Sequence, residues 1–378
     1  MKNNRYSRNG NSDILLSGML VLLFLLLIGC QPKEVTSAKI YIQNNDWDKA
    51  LKQLEVAVAA YPKNAEAHYL LGQAYGYHAR YEDMIKEFNS SLNISEKFVQ
   101  QITAERERYW IDKYNAAIIA LDKQDYLHAE KFLQTAILID PEKHEAYKKL
   151  AIAYIQTDQL DNALTIYKKL LQKYPRDLDL LISIGNLYYS QKNYDKSVVI
   201  LKRVLEIEPN HRDALANLAL AYDSLGKLEE AEQAFRKAVA ANTQDKDLIF
   251  LFGVYHYKRN NFEQAIQLFE RVLELNPHDF DATSNIGNAY LSMAENLRKK
   301  LKQASPADRT SIDYKKITNG AILNYKHAIP YLKKALEMQP NHPNLWRNLG
   351  VAYINTGEKE LGEKALLKSE EVQVKLSK

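Results

Sequence analysis

The chain has 378 residues, 46% apolar and 26% charged, with a formal charge of +4. That is enough apolar content for a continuous packed array, and a balance so close to neutral gives no electrostatic footprint for nucleic acid. Cys30 is the only cysteine, which excludes an intrachain disulfide.

At the start of the chain, Lys2, Arg5 and Arg8 precede an apolar run from Ile14 to Ile28. Its fifteen residues fall short of the roughly 20 that a spanning helix needs, so residues 1–29 read as a secretory signal. The run closes on Leu27-Ile28-Gly29-Cys30, which resembles the lipobox of bacterial lipoproteins. The resemblance implies cleavage before Cys30, with diacylglycerol on its thiol and an acyl chain such as palmitate on its amine. Two chains would give stable anchoring on a bilayer. The alternative is an uncleaved signal anchor with an incidental cysteine. Gln31 follows, where enteric lipoproteins retained at the inner membrane carry aspartate. The lipoprotein resemblance therefore implies the periplasmic face of an outer membrane in a diderm cell, and otherwise the outer face of the cytoplasmic membrane. Removing residues 1–29 lowers the charge to +2, from 48 basic against 46 acidic residues. Residues 30–33 leave only a short tether, which would hold the first helix near the headgroups.

From residue 34 to 376 one spacing recurs. A small residue stands at Ala38, Gly72, Ala117, Ala151, Gly185, Ala219, Gly253, Gly287 and Gly350, at gaps of 34 apart from one of 45 and one of 63. An aromatic follows three positions later at Tyr41, Tyr75, Tyr154, Tyr188, Tyr222, Tyr290 and Tyr353, with Ala120 and His256 in the other two units. Self-similarity at such a period means a solenoid. Leu215, Leu218, Ala219 and Tyr222 show helical spacing, as do Ala231, Phe235 and Ala238, so each unit is a helix pair. Glycine at Gly226 suits the turn between them. Prolines at Pro62, Pro141, Pro175, Pro209, Pro277 and Pro340 close most units, because proline cannot continue a helix. Gly253 and Ala265 would let their two helices approach closely beside Phe269, and stacking supplies the core that neither helix has alone.

These offsets resemble the tetratricopeptide repeat family, whose tryptophan appears in the last unit as Trp346 ahead of Leu349, Gly350 and Tyr353. Departures are Met84 and Glu96 at small and proline positions of unit two, and Gly362 at an alanine position of unit nine. The resemblance implies an all-α, right-handed superhelical solenoid of about nine helix-turn-helix units.

Two breaks interrupt the register. Eleven extra residues around Phe98–Arg108 make almost three whole turns, which predicts one long helix from about Glu96 to Leu121. A further 29 residues enter unit eight between Tyr290 and Ala328. Met293, Leu297 and Leu301 keep a helical stripe, and Ser305-Pro306-Ala307-Asp308 suits a turn capping a second helix from Pro306 onward. The insertion, near 293–322, is therefore expected to project as a helical hairpin. From Glu295 to Lys316 it holds seven basic residues, Arg298, Lys299, Lys300, Lys302, Arg309, Lys315 and Lys316, against Glu295, Asp308 and Asp313. That excess fits either a solvated helix face or contact with anionic lipid or an acidic partner.

In tetratricopeptide arrays the first helix of each unit lines the concave side. The resemblance maps ligand-facing positions to Ile152 and Ile155, to Ile182, Asn186 and Tyr189, and to Asn217 and Leu220. It continues them through Phe250, Val254 and Tyr257 to Asn285, Asn288, Arg347 and Asn348. Asparagines there suit the backbone of an extended peptide, and aromatics suit anchor pockets. Alternatively, asparagine is simply common at these positions and Phe250 packs internally. The tail-clamping subclass is not matched, since Ile152 follows Lys148 where its asparagine would stand.

No nucleophile elbow, phosphate loop or His-Glu-x-x-His motif is present, and His144, His211, His278 and His342 lie in separate turns. The expectation is a non-enzymatic, cofactor-free, membrane-anchored adaptor that binds an envelope or periplasmic protein, or an extended peptide segment of one. The alternative is a lipoprotein carrier or co-receptor for a glycan.

Overall fold

A computed structural model describes residues 32–303, 305 and 311–377. The signal segment 1–29, Cys30 and the turn at Pro306–Asp308 lie outside these residues. Eighteen α-helices form among the described residues, and the chain divides between Pro175 and Arg176 into two compact bodies. Body one holds units one to four: α1 (Lys33–Gln43), α2 (Trp47–Ala60), α3 (Ala65–Tyr77), α4 (Tyr81–Ile94), α5 (Val99–Asp122), α6 (Tyr126–Ile139), α7 (His144–Gln156) and α8 (Leu160–Lys173). Body two holds units five to nine: α9 (Leu178–Ser190), α10 (Tyr194–Ile207), α11 (Arg212–Ser224), α12 (Leu228–Ala241), α13 (Lys246–Lys258), α14 (Phe262–Leu275), α15 (Phe280–Gln303), α16 (Ile312–Met338), α17 (Pro343–Thr356) and α18 (Lys359–Leu376). Within each body, helices pack in sequential pairs.

The pairing rests on a small residue and a bulky one sixteen positions later. A Cβ added to Gly72 would stand 2.4 Å from Cδ1 of Phe88, and one added to Gly253 would stand 2.6 Å from Cε1 of Phe269. Both rings are fully buried, so neither can swing away. Leucine is the partner elsewhere: a Cβ on Gly185 would lie 3.0 Å from the branched end of Leu201. Gly287 meets Leu332 in the same way, 45 positions on, because the 29 inserted residues stand between the two.

Turns follow an equally fixed offset. Seven positions after the small residue the backbone is left-handed at Asn45, Ala79, Gln124, Asp158, Lys192, Gly226, Asn260 and Gly357, with φ between 56° and 96°. The next amide then bonds back to the carbonyl of the residue at the aromatic position, as Arg80 does to Tyr75 at 2.9 Å and Asn193 to Tyr188 at 2.8 Å. This six-to-one bond is the Schellman closure of a helix end. Glycine fills that position in only two units, so the surrounding bonds and packing hold the others against a cost of roughly 1–2 kcal/mol. Unit eight lacks the turn: its counterpart, Ala294, is buried inside α15, which runs on to Gln303.

The second helices stop at Ala60, Ile139, Lys173, Ile207, Leu275 and Met338, each two residues short of a proline. Two residues after five of those prolines a side chain caps the next helix, as Asn64 does on the amide of Ala67 at 3.0 Å and Asp279 on that of Ala282 at 3.0 Å, whereas Lys143 after Pro141 gives no side-chain cap. His211 and His342 do the same work through Nδ1, each at 3.4 Å from its amide, so two of the turn histidines are caps.

The breaks differ in detail from the sequence expectation. Ser95 is extended (φ −158°, ψ 139°) and a 3₁₀ turn spans Glu96–Phe98, so α5 begins at Val99. Phe98 is buried there, stacked 4.8 Å from Tyr69, and that contact favours the turn over a helix continuous from Glu96. The insertion in unit eight lengthens both helices of the pair. α16 is capped by Ser311 on the amide of Tyr314 and begins at Ile312.

His256 occupies the aromatic position of unit seven, 4% exposed and 4.6 Å from the ring of Phe252. Among the described residues its Nδ1 has no hydrogen-bond partner. Burial pushes its pKa below the usual histidine value, with Glu232 opposing and Arg236 reinforcing that shift. A lowered folded pKa means the neutral ring is the form the fold stabilises. Its contribution is complete above the ordinary value of 6.5 and is lost as pH falls from there toward the folded value.

Two outcomes are expected. Gly72→Ala lowers stability by about 1–2 kcal/mol, because overpacking against Phe88 exceeds the gain in helix propensity, whereas Gly185→Ala stays near neutral. Denaturant unfolding with hydrogen exchange in α3 and α9 reads both. His256→Tyr reduces the drop in melting temperature between about pH 7.5 and about pH 5 relative to the unaltered chain.

Candidate functional site

The first helices of body two, α9, α11, α13, α15 and α17, carry the mapped positions at a fixed register. Asn217 on α11 donates through Nδ2 to Oδ1 of Asn186 on α9 at 2.7 Å. Asn348 on α17 donates to Asn288 on α15 at 2.9 Å. In each case the acceptor follows its unit's small residue by one position and the donor precedes its own by two. Between these polar rungs the residues change. Leu220 and Val254 fill the acceptor position of units six and seven. Asn285, the donor of unit eight, has no amide to meet and bonds the carbonyl of Asp281 in its own helix at 2.8 Å.

A second set of bridges runs beside the first. The hydroxyl of Tyr189 lies 3.2 Å from Oγ of Ser224, and that of Tyr257 lies 3.3 Å from Oγ of Ser292. The serines were not singled out from sequence, although each sits one position beyond the slot of a groove tyrosine in the preceding unit. Ile182, Leu220 and Val254 are half-buried beside these rungs. Phe250 is also half-buried and packs its ring 5.3 Å from Phe269, so only part of it faces outward. In body one, Ile152 is exposed and Ile155 half-buried. Lipidation at Cys30 falls outside the described residues.

Where α13, α15 and α17 meet, the face deepens into a pocket of about 750 Å³. Tyr257, Asn288, Arg347 and Asn348 line it, with Asn260 and His342 entering from the turns and Asn344 from the first turn of α17. Glu295, Asn296 and Lys299 complete one wall from the part of α15 that continues past Ala294. Two contacts fix that wall. Tyr325 donates its hydroxyl to Glu295, and Arg298 donates to Asn355 of α17. Burial first, and then the bond to Glu295, push the Tyr325 pKa up to about 12, so the phenol stays a donor.

Chemically, the bridged rows offer amides and hydroxyls, and the pocket adds the charged groups of Glu295, Lys299 and Arg347. Each bridging asparagine spends one donor or one acceptor on its neighbour and keeps the rest of its capacity. Among the described residues no cluster of three His, Cys, Asp or Glu is arranged to hold a metal ion, and no helix is long and apolar enough to cross a membrane.

Family profiles for the tetratricopeptide repeat match residues 120–181, 188–249 and 331–364, and one for the TPR repeat matches 38–76 and 253–293. The chain belongs to the tetratricopeptide repeat family. Tetratricopeptide arrays are scaffolds for binding proteins and peptides and are generally not enzymes, and this chain is such a scaffold. No curated protein sequence matches it. Among solved structures, a tetratricopeptide repeat protein from Parabacteroides merdae ATCC 43184 is 18% identical, with 70% of this chain and 93% of that one aligned at a TM-score of 0.48. YrrB, described as a TPR protein with an unusual peptide-binding site, is 20% identical over 55% of this chain and 92% of its own, at 0.40. MamA from Desulfovibrio magneticus RS-1 is 21% identical over 45% and 96%, at 0.41.

Proposed function

We propose that this protein is a lipid-anchored adaptor of the bacterial cell envelope, which holds an extended segment of a partner protein along the first helices of body two. The observation that carries the binding half is the bridged row of asparagines and tyrosines ending in the pocket between α13, α15 and α17. Its bonds recur at matching register in the helix pairs α9–α11, α13–α15 and α15–α17, which suits the repeating backbone of an extended chain. One net hydrogen bond is worth about 0.5–1.5 kcal/mol, so useful affinity needs several rungs engaged together.

The anchoring half rests on sequence. The basic segment, the short apolar run and Gly29-Cys30 support lipidation of Cys30, and Gln31 supports the outer membrane as the destination in a diderm cell. The anchor would confine the array to one membrane face and raise the local concentration of whatever the groove holds.

Cys30→Ala is expected to leave a longer, unlipidated precursor, seen as a mass shift and as loss of metabolic labelling by a palmitate analogue. A mature, lipidated product from that variant would remove the anchoring half. Purification of the native chain from membranes should recover one protein in stoichiometric amount, reduced by Asn288→Ala with Asn348→Ala. Binding of an oligosaccharide by the isolated chain, with no protein recovered, would replace the adaptor by a glycan carrier.

A further inference from the structure

The inserted residues of unit eight have a use at their base. α13 ends at Lys258, five residues after Gly253, and an ordinary turn would have ended α15 near Ser292. Glu295, Asn296 and Lys299 reach the pocket only because the helix continues, and the bond from Arg298 to Asn355 holds that continuation against α17.

The pocket's charges are Lys299 and Arg347 against the single carboxylate of Glu295, which is engaged by Tyr325. Lys299 and Arg347 are both exposed, and among the described residues neither is ion-paired. The side-chain amides of Asn260, Asn296 and Asn344 line the same space without a hydrogen bond among the described residues. Two cations lining one pocket without an ion pair among the described residues, with amides around them, favour an anionic group carried on a polar backbone. A volume of about 750 Å³ falls inside the usual range of ligand pockets, roughly 300–1,000 Å³.

We propose that this pocket selects a segment bearing an aspartate or glutamate side chain, its carboxylate held between Lys299 and Arg347, and that the insertion gives the groove this selectivity. The inference rests on the reading of the groove as a peptide site. Arginine can take a carboxylate through two parallel bonds, while lysine contributes a point charge. Glu295 disfavours a second acid at its own end of the pocket, which limits the preference to one acidic position.

The test is selection of random 12-residue peptides, displayed with both ends fused, on the purified full chain in detergent. Winners are resynthesised with amidated ends and measured by fluorescence anisotropy. The expected peptides carry Asp or Glu at one recurring position. Changing that residue to its amide weakens binding about tenfold, the scale of one charged hydrogen bond. Lys299→Gln and Arg347→Gln each weaken the acidic peptide to a similar extent and leave the amide peptide unchanged, with unfolding midpoints unaltered. Failure to enrich any peptide overturns the groove reading and this inference together. Enriched peptides without a recurring acid, equal losses for acidic and amide peptides, or binding that demands a free C-terminus overturn the inference while the groove reading stands.

Discussion

In unit two the ring of Phe88 occupies the space that a methyl group on Gly72 would need, and in unit seven Phe269 does the same to Gly253. This contact sets how closely the two helices of a unit approach. The sixteen-residue separation that produces it recurs between Gly185 and Leu201, and across the 29 inserted residues the counterpart joins Gly287 to Leu332, so within each body the units share one pairing contact. Everything farther out depends on it. The Schellman turn needs the first helix to end at one point, the proline stops need the second helix to end at another, and the rungs between Asn186 and Asn217 need adjacent first helices in register. Because stacking supplies each unit's core, damage to one contact acts mainly on its neighbours.

Much of this was legible because the features obey sequence rules. The small residue, the aromatic and the proline each have a steric reason to stand where they do, and so the pair of helices could be read from unit six alone. The left-handed turn was not, since Ala79, Gln124 and Lys192 lack the side chains that usually mark it; its conformation is imposed by backbone bonds across the helix end. The break at Ser95 was also hidden. Helical period alone extends α5 back to Glu96, while the stacking of Phe98 on Tyr69 is a contact between elements that no local pattern reports.

At the groove, family register named Asn186, Asn217, Asn288 and Asn348, but it could not say that they bond one another. That follows from which amide faces which, and Asn285 shows the consequence of a mismatch, turning to its own helix where Val254 stands opposite in register. The pocket wall from Glu295 to Lys299 lay beyond any register mapping because it belongs to the insertion. The charge excess there was visible in sequence, and its division was not: Arg298 holds the wall to α17 while Lys299 faces the pocket.

On this reading the first-helix face of body two holds a partner protein in the cell. Site-specific photo-crosslinking tests it most directly, with the reactive residue at position 186 or 347 and a control at Lys237, exposed on the second helix α12. One shared protein adduct is expected from 186 and 347 and none from 237. Adducts from 237 equal to those from the groove, or no protein adduct from either groove position, would contradict it.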